Sequence, residues 1–242
     1  MASQKNNIQT KNIEKDINYY KKKFWKVFFY GLGGLLLFFL FASWGLFGSM
    51  PSFEDLENPD SNLATEIISS DGVVLGKYFE KNRSQLKYSD LPKNLVQALV
   101  ATEDVRFYEH SGVDARGTLR AISSLGRSGG ASTITQQLAK NLFHTRSMEF
   151  GEDDPVYIGL LMKIDGLRTV IAKVKEWILA IKLERRYTKQ EIMAMYLNEV
   201  SFGNNAYGIQ VACRTYFQKD IQQVSLTEAA TLIGLLQNPS LY

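Results

Sequence analysis

Hydrophobic and polar positions alternate along this chain in three different ways. From Val27 to Met50 no position is charged, so there is no polar stripe at all. Such a run is about 36 Å of helix, enough to cross a hydrocarbon core of roughly 30 Å with some tilt. Next, two β-prone runs, Ala64–Ser69 and Val73–Glu80, flank Ser70-Asp71-Gly72. An Asp-Gly between such runs predicts a small β-hairpin, the one sheet expected here. From Leu91 onward the apolar period becomes helical. Leu95, Val96, Leu99 and Val100 form a stripe after Pro92, and Glu103 falls at the end of that helix.

The rest of the chain continues the helical pattern. Thr118–Leu125 reads as a helix stopped by Gly126 and the Gly129-Gly130 pair. Three later helices open on a capping box, in which hydroxyl and carboxylate or amide satisfy two orphan amides reciprocally: Thr133 with Gln136, Thr188 with Glu191, Ser225 with Glu228. Leu167–Arg186 predicts a long helix with Val170, Val174, Ile178 and Ile181 along its apolar side, and Asn238-Pro239 ends the last helix. The fold class is therefore mainly α with a small hairpin at its entrance.

Charge orients the apolar run. Lys21, Lys22, Lys23 and Lys26 precede it, and Glu54, Asp55, Glu57 and Asp60 follow it. Positive flanks stay in the cytoplasm, which puts the N-terminus inside and the bulk of the chain outside. The run is too long for a signal-peptide core and lacks an Ala-x-Ala site, so it is expected to be retained. The organisation follows: 1–26 a cytoplasmic tail, 27–50 a transmembrane helix, 51–62 a proline-containing acidic linker, 63–242 the functional domain. A net charge of +3 is too small to imply nucleic acid. Cys213 is the one cysteine, which excludes an intrachain disulfide, and His110 and His144 are too far apart in sequence for a usual zinc site.

Three polar stretches can carry chemistry. Glu103 lies at a helix end beside Asp104; a like charge and partial burial both make it a better proton acceptor. Its ordinary reading is a solvated Glu-Asp pair, and that of His110 is a turn-fixing imidazole. Gly129–Lys140 places a Gly-Gly turn before a helix start, with Ser132, Thr133 and Gln136 as donors and Lys140 as a cation. That combination suits a phosphate or diphosphate, although such starts are usually plain caps. Lys173, Glu176, Ala180 and Glu184 share one strip of a helix, with small Ala180 leaving room for a ligand; the alternative is a solvated face.

Together these residues resemble the peptidoglycan glycosyltransferase domain of class A penicillin-binding proteins and their monofunctional relatives. Glu103-Asp104-x-x-Phe107-x-x-His110-x-Gly112 is similar to the family's first motif, and Gly130-x-Ser132-Thr133-Ile134-Thr135-Gln136-Gln137 to the second. Lys173-x-x-Glu176 is similar to the third, and Lys189-x-x-Ile192-x-x-x-Tyr196-Leu197-Asn198 to the fourth. The resemblance implies a lysozyme-like, two-lobed α fold against the membrane that polymerises lipid II with inversion and loss of undecaprenyl diphosphate. It implies Glu103 as general base and Glu176 as the second catalytic carboxylate. Ser132, Thr133, Gln136, Gln137 and Lys140 would hold donor sugar and diphosphate, and Lys173 with Glu176 would position the leaving group. Asp104, Phe107, His110, Tyr196 and Asn198 complete the expected substrate site. No cofactor is obligatory; a divalent cation, Mg2+ or Mn2+, is admitted. The implied partners are lipid II, the lipid-linked glycan chain, the membrane and other cell-wall synthesis proteins. The implied location is the extracytoplasmic side of the bacterial inner membrane.

Three departures stand out. Ala172 occupies a position usually held by Arg, for which Arg168 one turn earlier is the expected substitute; Ala194 replaces an acid; and a long segment separates Phe143 from Leu167. Ending at Tyr242, the chain is expected to be the N-terminal part of a bifunctional protein, the alternative being a compact monofunctional polymerase. The competing readings are a lysozyme-like glycan-cleaving enzyme and a non-catalytic glycan-binding scaffold.

Overall fold

The computed structural model describes residues 2–46, 65–69, 74–78, 86–124, 127, 130–143, 145 and 165–237. In chain order these form helix α1 (Ala2–Ser43), strands β1 (Thr65–Ile68) and β2 (Val74–Tyr78), and helices α2 (Lys93–Glu103), α3 (Ala115–Ser123), α4 (Ile134–Leu142), α5 (Asp165–Arg186), α6 (Lys189–Glu199), α7 (Ile209–Phe217) and α8 (Leu226–Gln237). Single 3-10 turns lie at Tyr88–Asp90 and Ile221–Gln223. The architecture is mainly α. β1 and β2 pair antiparallel, with Thr65 opposite Tyr78 and Ile68 opposite Val74. The Ser70-Asp71-Gly72 turn expected between them lies outside the described residues, as do the 51–62 linker, Gly126, Gly129, Asn238-Pro239 and most of the Phe143–Leu167 segment.

The apolar run differs at both ends from its expected bounds. Its helix stops at Ser43 and turns through Leu46, while at the other end it continues back to Ala2, through the polar tail. Asp16–Ser43 is long and apolar enough to cross a membrane. The C-terminal end of α1 is not bare. Phe38, Phe39 and Ala42 pack against Ile171, Val174 and Ile178 of α5, and Phe39 stacks on Trp177 with ring centroids 6.1 Å apart.

The core gathers around α4, which packs against α5 and α6, while α2 packs against α8. Leu99, Leu138, Leu183, Met193, Ile209 and Leu232 are fully buried there. Amphipathic stripes explain most of this packing, and α2 buries Leu95, Val96 and Leu99 as expected. On α5 the expected apolar face is corrected. Val170 and Ile181 are exposed, whereas Ala172, Glu176, Leu179, Ala180 and Leu183 are buried. Two neighbours share this helix. Ile171, Val174 and Ile178 meet α1, which turns the polar strip towards α4, where its carboxylates find partners.

Local chemistry sets several helix ends. Thr188 and Glu191 satisfy each other's backbone amides at 3.2 and 2.7 Å, and Ser225 and Glu228 do so at 3.3 and 2.8 Å. At Thr133 only half of the expected box forms: Thr133 Oγ1 accepts from the Gln136 amide, but the Gln136 side chain goes elsewhere. α7, not anticipated from the pattern, starts after Gly208 at φ +83°. A Cβ there would lie 2.7 Å from the Asn198 carbonyl oxygen.

Candidate active site

Glu103 is the last residue of α2 and is half-buried. Its Oε2 accepts a hydrogen bond from Gln137 Nε2 at 2.8 Å. On the far side of that amide, Gln137 Oε1 accepts from the hydroxyl of Tyr196 at 3.0 Å. Asp104, the next residue, turns inward. Both its oxygens lie 3.0 Å from His110 Nε2, and its Oδ2 accepts the backbone amide of Ile134 at 3.1 Å. An anion at the first turn of α4 satisfies an orphan amide and the helix dipole together. The adjacent carboxylates thus serve different partners.

Gly112 ties this loop to two helices. Its carbonyl accepts from Thr133 Oγ1 at 2.7 Å and from Gln136 Nε2 at 3.2 Å. At φ +90° it has a backbone that side chains rarely adopt, and an added Cβ would lie 2.7 Å from the Ala180 carbonyl carbon and oxygen. The small size of Ala180, expected to leave room for a ligand, instead admits the Gly112 backbone; Ala180 is fully buried. Thr133 and Gln136 are likewise buried in this junction. His110 Nδ1 and Gln136 Oε1 are buried there without a hydrogen-bond partner among the described residues.

At the start of α4 the second and third motifs meet. Lys173 Nζ donates to Ser132 Oγ and to Glu176 Oε2, each at 2.8 Å. The Glu176 side chain is 2% exposed and that of Lys173 is 27% exposed, so the carboxylate is enclosed while the ammonium reaches towards solvent. Further along the strip, Glu184 accepts from Thr135 Oγ1 and from Lys189 Nζ, both at 2.7 Å. Lys189 also donates to the His110 carbonyl at 2.7 Å and lies 4.4 Å from the centroid of the Phe107 ring.

α4 and the residues leading into it therefore bring together Glu103, through Gln137, and the Lys173–Glu176 pair, through Ser132 just before the helix. Lys140, one turn beyond Gln137 on the same helix, is half-exposed and makes no ion pair among the described residues. Arg168 is half-exposed on the first turn of α5, and Ala172 is buried one turn on. Ala194 is buried on α6. Other predicted site residues face the protein interior. Phe107 and Tyr196 are fully buried. Asn198 clasps Leu86, accepting from its amide at 3.0 Å and donating to its carbonyl at 2.8 Å.

Among the described residues no cluster of three or more His, Cys, Asp or Glu side chains is arranged to hold a metal. The buried Glu176 carboxylate already carries an ammonium.

Sequence reasoning missed the supports of the site. Arg106 pairs with Asp114 and holds that carboxyl below its ordinary value through their hydrogen bond, while the missing Cβ of Gly117 leaves the pair its space. Thr135 lies within the second motif, but its bond to Glu184 spans 49 residues and leaves no local trace.

Comparison with known proteins places these residues in a wider group. The family described as Transglycosylase matches residues 71–242. Penicillin-binding protein 1A of Pseudomonas aeruginosa is 36% identical over 213 residues, covering 86% of this chain and 24% of that protein. Penicillin-binding protein 1A of Escherichia coli is 38% identical over 197 residues, covering 80% of this chain and 21% of that protein. Penicillin-binding protein 1F of Bacillus subtilis is 37% identical over 183 residues, covering 74% of this chain and 23% of that protein. The chain spans less than a quarter of the length of these relatives' matched proteins, 21–24% in each case.

Proposed function

This chain belongs to the transglycosylase family, and from that premise we propose that it is a peptidoglycan glycosyltransferase polymerising lipid II into β-1,4 glycan strands. The observation that carries the reading is the half-buried Glu103 carboxylate, held by a neutral amide on α4, with the Lys173–Glu176 pair anchored by Ser132 just before the same helix. Glu103 takes the proton of the acceptor 4-hydroxyl as its oxygen attacks the anomeric carbon of the growing chain. The bond from that carbon to the diphosphate breaks, the electron pair leaves with undecaprenyl diphosphate, and the configuration inverts. General-base assistance of this kind contributes about 10²–10⁴-fold. A leaving diphosphate already carries charge, so it needs cations more than an acid. Lys173 and Lys140 supply them, with Ser132 fixing the Lys173 ammonium.

The wider reading follows the family. It comprises a lysozyme-like, two-lobed domain on the outer face of the bacterial inner membrane, α1 as its single span with the N-terminus inside, and a place in a bifunctional penicillin-binding protein. Relatives of that name support it. An inverting hydrolase would need a second free carboxylate roughly 6.5–9.5 Å from the first; Glu176, engaged by Lys173, is poorly suited to activate water.

Incubation of the detergent-solubilised chain with labelled lipid II tests the proposal. Glycan polymer is expected from the unsubstituted chain and a loss of at least about 10²-fold in Glu103→Gln. Shortening of preformed glycan without polymer would assign hydrolysis instead.

A further inference from the structure

We propose that Gln137 and Tyr196 are positioning residues for the general base, a two-bond relay that aims Glu103 rather than a grip on the donor substrate. The inference rests on the reading of Glu103 as base.

Glu103 sits at the last residue of a helix, half-buried. The terminal torsion of a glutamate is broad, so an unsupported carboxylate samples many orientations. Gln137 Nε2 pins one oxygen, Oε2, at 2.8 Å and leaves Oε1 for an incoming hydroxyl. An amide can present either end, however. Flipped, Gln137 would set its own oxygen against the carboxylate, acceptor facing acceptor. The Tyr196 hydroxyl, 3.0 Å from Gln137 Oε1, selects the productive orientation. Tyr196 suits that task because it is fully buried on α6 and fixed by packing. Burial, followed by the charge of Glu103, pushes its phenol well above the ordinary tyrosine value, so the hydroxyl stays a donor throughout the neutral range. The three residues come from three helices, α2, α4 and α6, and meet only on folding.

The test is steady-state polymerisation of labelled lipid II by the full chain and its variants. Tyr196→Phe deletes one hydroxyl and keeps the packing; kcat should fall about tenfold with KM within about twofold, since a misaimed group costs rate rather than affinity. Gln137→Leu, at a half-buried position, should lower kcat by roughly thirtyfold, again with little change in KM. In a relay the two losses are not independent, so the double variant should be no worse than Gln137→Leu alone. Wild-type kcat in Tyr196→Phe, a rise in KM at unchanged kcat in Gln137→Leu, or losses that multiply in the double variant would each overturn the relay. Failure of the unsubstituted chain to make polymer would instead remove the glycosyltransferase reading on which it stands.

Discussion

Glu103 and Glu176 are the same side chain put to opposite uses. The first is half-buried at a helix end, and the partner it meets is a neutral amide. The second is enclosed in mid-helix, with its charge answered by Lys173. A carboxylate that must accept a proton needs its lone pairs uncommitted to a cation; one that must hold a lysine in place needs the reverse. Enclosure alone therefore does not mark the reactive group. What each carboxylate is bonded to separates the roles; Gln137 in the middle of α4 holds Glu103, and Ser132 just before α4 holds the lysine paired with Glu176.

Substitutions can break this contrast. The largest effect on stability is expected from Lys173→Met, which removes the ammonium that donates to the enclosed Glu176 carboxylate. Roughly 3 kcal/mol should be lost, at the low end for a buried pair because Lys173 is partly exposed. Denaturation of the detergent-solubilised chain measures it. Glu103→Gln in the same assay should stay within about 0.5 kcal/mol. Equal losses would erase the distinction between the two carboxylates.

Gly112→Ala probes the contact between their two regions. Strain at φ +90° together with the clash at Ala180 should cost about 2 kcal/mol and lower polymerisation in parallel. Normal stability with normal activity would show that the close approach is dispensable.

Glu228 supplies the smallest effect and a reference point. Its half-buried carboxylate is held at about 2, against an ordinary 4.5, by the Lys219 hydrogen bond first and by the Ser225 backbone and side chain after it. A depressed value means stability that is present above 4.5 and lost as the pH falls through about 2. The melting-temperature gap between the unsubstituted chain and Glu228→Gln should narrow over that interval. A gap that widens on acidification would reverse the sign of the argument.

These regions also differ in how far the sequence discloses them. Helix starts at Thr188 and Ser225 were legible because cap and partner lie three residues apart, and the stripe of α2 was legible because one neighbour covers one face. α5 was misread for the opposite reason: α1 and α4 cover two of its faces, so the polar strip through Glu176 and Ala180 is interior without being apolar. Motif spacing singled out Glu103, Ser132 and Lys173 because each has the rest of its own motif within a turn or two of chain, but it could not show that Lys173 reaches Ser132 across 41 residues. It could not show that Tyr196 and Asn198 point inward, because their partners, Gln137 and Leu86, lie 59 and 112 residues away.

On the proposed reading of α1 as a membrane span, the stacking of Phe39 on Trp177 would make that helix a ruler as well as a tether. From Lys26 to Phe39 the helix rises about 20 Å, some two-thirds of a hydrocarbon layer roughly 30 Å thick. Trp177 lies one turn beyond Lys173 on α5. With α1 crossing the bilayer, the height of the lysine above the inner leaflet is thus set by the count of residues in the span. Lengthening the chain after Ser43 would leave that height unchanged, whereas inserting a turn before Phe39 would lift the whole catalytic floor.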